Sequence, residues 1–123
     1  MSTDKPIVID LSYLREVASD NTEFMVEMID IFIAQTPGYV ELLTNAIENK
    51  DWTKMAEMAH KIKPTFSFIG VESAQEKMAE IEKRSRDQED YEGILADFSA
   101  MKPVFIEIFD RLEDKKAELL AQG

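Results

Sequence analysis

Apolar residues recur along this chain every three to four positions, the period of an α-helix, and no segment sustains the strict alternation of a strand. After an extended lead-in, Asp10 is placed to cap a short helix through about Ala18, with Leu11, Leu14 and Val17 at helical spacing. Asn21 or Thr22 caps a second helix over roughly 22 to 36. Pro37 interrupts it and suits the first turn of a third, ending near Lys50, with Val40, Leu43 and Ile47 on one stripe. Asp51 caps the next helix, and Gly70 is positioned to end it near Ile69. A further stripe, Val71, Ala74, Met78 and Ile81, leads into a polar stretch from Ser85 to Asp90 that reads as a loop. The last helical region carries Tyr91, Leu95, Phe98, Phe105, Ile108, Phe109 and Leu112, with Pro103 expected to kink or break it. The pattern predicts an all-α fold: an antiparallel four-helix bundle with an additional short N-terminal helix.

Two helices hold more than a bundle requires. In the second, Glu23, Glu27, Asp30 and Ala34 form one narrow polar stripe, and large apolar side chains fill roughly 220° of the remaining arc. Two readings stand at this point. The helix is packed on both sides, or part of the surplus, including Met25 and Ile29, is a docking patch for another protein. In the helix after Asp51, the residues Met55, Met58, Ile62, Phe66 and Ile69 gather on one side, with Trp52 and Ala59 at its edge. His60, the chain's single histidine, lies nearly opposite. Its neighbours on that face, Thr53, Ala56 and Ser67, are small and leave room around the imidazole. Lys63, one turn on, stands within side-chain reach, and Lys54 and Lys61 make the segment locally basic. An imidazole of ordinary pKa, about 6.5, can act as a nucleophile without a strong base. A nearby ammonium would stabilise the oxygens of a phosphoryl group in transit. Taken alone, the lysines read equally well as a solvated helix face.

Composition narrows the chemistry. The 123 residues suit one domain, here taken as 1–123 with a core over about 8–120. A net charge of −11 repels phosphate backbones and anionic lipid, so neither nucleic acid nor membrane is expected as a partner. The absence of cysteine removes disulfides and thiolate chemistry and fits a reducing compartment. With one histidine and no EF-hand pattern, no metal site is expected, and no nucleotide-binding glycine motif or other cofactor signature is present. The opening residues Met1 to Pro6 lack a basic region followed by an apolar stretch, and no apolar run approaches the roughly 20 residues of a membrane span. A cytoplasmic monomer is expected.

The segment Ala59-His60-Lys61-Ile62-Lys63-Pro64-Thr65-Phe66-Ser67-Phe68-Ile69-Gly70 resembles the signature of the histidine-containing phosphotransfer (HPt) family. That signature reads Ala-His-x-Leu-Lys-Gly-Ser-(small)-x-x-(Leu/Ile)-Gly. Ala59, His60, Lys63, Ile69 and Gly70 match it, and Ile62 and Thr65 are conservative replacements. Pro64 stands where the family usually has Gly, and Phe66 where it has a small residue. The likeness extends to the aliphatic, acidic N-terminal helix and to the Asp51-Trp52 turn before the histidine helix. The resemblance implies that His60 is the phosphoacceptor and Lys63 the phosphate-stabilising cation. It implies no activity as an independent enzyme. The partners would be receiver domains of response regulators or hybrid histidine kinases, supplying the aspartyl phosphate, the Mg²⁺ and most of the catalysis. Met25, Ile29, Ala56, Pro64 and Ser67 would then line the docking surface. The alternative from another class is a non-phosphorylated helical adaptor that docks through the second helix.

Overall fold

Capping side chains set two of the helix starts where the sequence places them. The Asn21 side chain accepts a hydrogen bond from the Phe24 amide, and Asp51 accepts one from Lys54 at 3.1 Å. The short helix beginning at Ser12 has Leu11, not Asp10, at its cap position, and the Asp10 carboxylate instead accepts from both the amide and the hydroxyl of Ser12 in the turn before it. Those bonds hold its pKa below the usual aspartate range. The computed structural model of the chain describes residues 7–122. The expectation of no leader sequence rests on Met1 to Pro6 and lies outside them.

The described residues form five helices: α1 (Ser12–Val17), α2 (Thr22–Glu48), α3 (Trp52–Phe68), α4 (Glu72–Asp87) and α5 (Tyr91–Gln122). Each link between the long helices is three residues and contains a left-handed residue, Lys50, Gly70 or Gln88. Links this short make consecutive helices antiparallel neighbours. Helix α3 packs against α2 and α4, α5 closes the ring against the same two, and α1 rests on α2. Met25, Ile29, Leu43, Met55, Met58, Ile62, Phe66, Met78, Ile81, Ile94, Ile108 and Leu112 are fully enclosed or nearly so. Phe66 stacks on Phe105 across the core with ring centroids 5.5 Å apart. A large residue where the family signature has a small one is therefore a core residue of α3.

Four expectations from the sequence are corrected here. Pro37 does not divide the second helix, since α2 runs unbroken from Thr22 to Glu48, and of the kink or break expected at Pro103 the break is absent, since α5 continues through it. Both prolines are exposed, as is Pro64 inside α3. The carbonyl that each leaves unpaired therefore lies on a solvent side. A proline in a helix interior costs about 3 kcal/mol. Burial of Phe32, Leu43 and Ile47 on one continuous face of α2 offsets it, at roughly 1.5–3 kcal/mol per large side chain. A buried hydroxyl pair, Thr36 with Thr65 at 3.1 Å, joins α2 to α3 beside Pro37 and Pro64. The loop assigned to Ser85–Asp90 is shorter, because α4 extends through Asp87 and buries Ser85. Leu95, placed on the α5 stripe, is exposed, and its neighbour Ile94 takes the core position.

Gly70 ends α3 at φ +72°, with the Val71 amide reaching back to the Phe66 carbonyl. A Cβ there would stand 2.5 Å from the Asp10 carbonyl oxygen, where the lead-in segment bonds to the Ile69 carbonyl. Gly70→Ala should therefore lower stability by about 2 kcal/mol or more, read as a fall in the urea midpoint without a change in slope.

Candidate functional site

Helix α3 buries Met55, Met58, Ala59, Ile62 and Phe66 and turns His60 outward, its side chain 61% exposed. The core residues recur every three to four positions, so the face opposite them is set by the same periodicity. Across the α3–α4 contact, Glu82 of α4 meets that face, and its side chain is only 9% exposed. One carboxylate gathers three donors. Oε2 lies 3.0 Å from His60 Nδ1 and 2.5 Å from an Arg86 guanidinium nitrogen, and Oε1 lies 2.8 Å from Lys63 Nζ.

Burial alone would raise the Glu82 pKa, but the hydrogen bonds from Lys63 and Arg86 outweigh it and hold the carboxyl below its ordinary value. Glu82 is thus ionised near neutral pH and can only accept hydrogen bonds. The proton of a neutral His60 imidazole therefore sits on Nδ1, leaving the lone pair on Nε2. A carboxylate with a lowered folded-state pKa stabilises the fold above its unfolded value, and that contribution is lost as pH falls through the lowered value. Wild type should exceed Glu82→Gln in stability by about 1 kcal/mol above pH 4.5, the ordinary glutamate value. Thermal unfolding followed against pH should show the two converging below it.

Two concavities border the imidazole face. A cleft of about 460 Å³ between α3 and the end of α4 is lined by His60, Thr53, Ala56, Lys61, Ser85 and Arg86, among others. A groove of about 280 Å³ between α2 and α3 is lined by Ile31, Phe32, Tyr39, Lys61, Pro64 and Phe68, among others. Beside it Phe68 packs between Phe32 and Tyr13, with centroids 5.7 and 5.4 Å away.

The structure brings His60, Lys63 and Ala56 to one place and leaves Pro64 and Ser67 exposed on the next turns of α3. Met25 and Ile29 do not join them. Both are 0% exposed, because α2 packs between α3 and α5 and turns this pair inward. The apolar surface that α2 leaves open is instead Phe24, Ile31 and Leu42, at 40%, 44% and 43% exposure. Lys54 and Lys61, read as local basic character, both pair with Glu57. Glu82 escaped the sequence reading, although a signal for it existed. It falls four residues after Met78 on the apolar stripe of α4, where a carboxylate is buried only if donors meet it.

The model of the Hpt domain matches residues 27–121. This chain belongs to the Hpt domain family. Hpt domains are phosphoryl carriers of phosphorelays. The fold is similar to that of the HPT domain from the Hpt sensor hybrid histidine kinase from Shewanella. The two share 20% sequence identity and a TM-score of 0.60, over 95% of this chain and 94% of that one. No curated protein matches the chain in sequence. Among the described residues, no helix is long and apolar enough to cross a membrane.

Proposed function

We propose that this Hpt domain carries the phosphoryl group on His60, accepting it from a receiver-domain aspartate and passing it to another receiver. The observation that carries the reading is the exposed imidazole whose Nδ1 is held by the buried Glu82 carboxylate, leaving Nε2 as the free nucleophile. In the transfer, the Nε2 lone pair forms a bond to phosphorus as the bond from phosphorus to the aspartyl oxygen breaks. The aspartate leaves with that electron pair. The ring gains positive charge while its proton remains at Nδ1, and Glu82 lies against that nitrogen to stabilise it. Lys63, already within reach of the site, supplies an ammonium to the phosphoryl oxygens. The receiver contributes the Mg²⁺ and most of the catalysis.

The docking surface in this proposal is the ground around His60. It comprises the α2–α3 groove with Ile31, Tyr39, Pro64 and Phe68, together with exposed Ser67 along α3 and Ala56, which at 8% exposure only floors the α3–α4 cleft. These residues replace Met25 and Ile29, which lie in the core. A phosphorylated receiver incubated with the full chain tests the carrier role. The label should move onto this chain as a phosphoramidate, labile to acid and stable to alkali. Label that survives acid, or none at all, would refute it.

A further inference from the structure

We propose that Arg86 is a second phosphoryl-holding cation of the His60 site, exchanging Glu82 for the phosphoryl oxygens when His60 is loaded. The inference rests on the carrier reading of His60. Arg86 and His60 Nδ1 bond to the same oxygen of Glu82, so guanidinium and imidazole stand side by side. Both line the α3–α4 cleft. Arg86 lies one helical turn beyond Glu82 on α4, and its side chain is 59% exposed, so the head group can swing without disturbing the core. Lys63 approaches the other carboxylate oxygen and is half-buried, which places the two cations at different oxygens of one anchor.

Charge decides why a second cation is needed. At rest, Lys63 and Arg86 face one carboxylate. A phosphoryl group adds about 1.5–2 negative charges. The charge gained by the ring stays at Nδ1 against Glu82, so Lys63 alone would be left to face the phosphoryl oxygens while still paired with that carboxylate. A guanidinium can engage two phosphoryl oxygens at once, which an ammonium does only as a point charge. The cleft holds a second group without a use in the resting fold. The Ser85 hydroxyl is buried, lines the same cleft, and has no hydrogen-bond partner among the described residues. It sits three residues from Glu82 on the same face of α4, where it would add a donor to the phosphoryl oxygens.

Arg86 makes and breaks no covalent bond in this scheme. It stabilises the loaded state, so it shifts the equilibrium between receiver aspartyl phosphate and phosphohistidine toward His60. The test uses the full chain and a receiver domain carrying labelled phosphate, taken to exchange equilibrium, with the ratio of label on the two proteins as the readout. Arg86→Ala should lower the His60-to-receiver ratio roughly fivefold, and Arg86→Lys should recover part of it. Arg86→Gln keeps the stem and a hydrogen bond but removes the charge, and should match Arg86→Ala. Lys102→Ala removes one positive charge from an exposed position on α5 and should leave the ratio unchanged. Circular dichroism establishes that each variant is folded. An unchanged ratio in folded Arg86→Ala or Arg86→Gln would overturn the role, as would an equal fall in Lys102→Ala. If the wild-type chain takes no label, the carrier reading itself fails. Label equal on wild type and the Arg86 variants removes only this inference.

Discussion

A His60→Gln variant should take up no label from a phosphorylated receiver, a loss of the whole transfer amplitude and the largest functional effect expected of any single substitution. The glutamine amide has no nucleophilic lone pair equivalent to Nε2. It can still donate a hydrogen bond toward Glu82, and position 60 faces solvent, so the bundle should keep its stability to within about 0.5 kcal/mol. The measurement pairs a transfer time course with thermal unfolding of the same preparation. Label appearing on the folded variant would mean that another residue is the acceptor, and the site built around Glu82 would lose its function. Because the chain has a single histidine, acid-labile label in wild type and none in the variant leaves no second imidazole to consider.

Ile29→Asp should unfold the chain, whereas Ile31→Asp should leave it folded and weaken receiver binding. The two positions are two residues apart on α2 and differ in environment, 0% against 44% exposed. Removing the Ile29 side chain costs about 2–5 kcal/mol, and placing a carboxylate in the space without a donor adds several more. That sum is comparable to the whole stability of a small domain, about 5–15 kcal/mol. Far-ultraviolet circular dichroism and urea unfolding would show the loss directly. Ile31 borders the α2–α3 groove near Lys61 and Pro64, so a charge there should raise the receiver Kd roughly tenfold with little change in stability. Binding unaffected by Ile31→Asp would remove the groove from the docking surface. A folded, binding-deficient Ile29→Asp would contradict the packing of α2.

The contrast between those two residues also marks how far the sequence could be read. Asn21 and Asp51 cap their helices as their positions suggest, and Gly70 takes the left-handed conformation that ends α3. These are interactions within a few residues, and the sequence contains both partners side by side. The α3 wheel was legible for the same reason. Its apolar arc became the buried arc, and His60 emerged on the far side. On α2, apolar residues nearly encircle the helix, so its own periodicity could not say which of them face inward. Packing by α3 on one side and α5 on the other enclosed Met25 and Ile29 and left Phe24 and Ile31 open.

Pro37 and Pro103 show the same limit from the side of energetics. The local rule places an interruption at Pro37 and a kink or break at Pro103, and the local cost is real, but long-range burial along α2 and α5 keeps both helices continuous. Glu82 is the clearest case at the site. It stands 22 residues from His60 along the chain and bonds to it across a helix pair. By itself the sequence determined the helical class, the helix ends formed by local caps, and the solvent-facing position of His60, because each depends on neighbours within one or two turns. The tertiary structure decided the inward face of α2, the continuity of the proline-containing helices and the carboxylate that holds the imidazole, because each depends on surfaces that meet only when the helices pack.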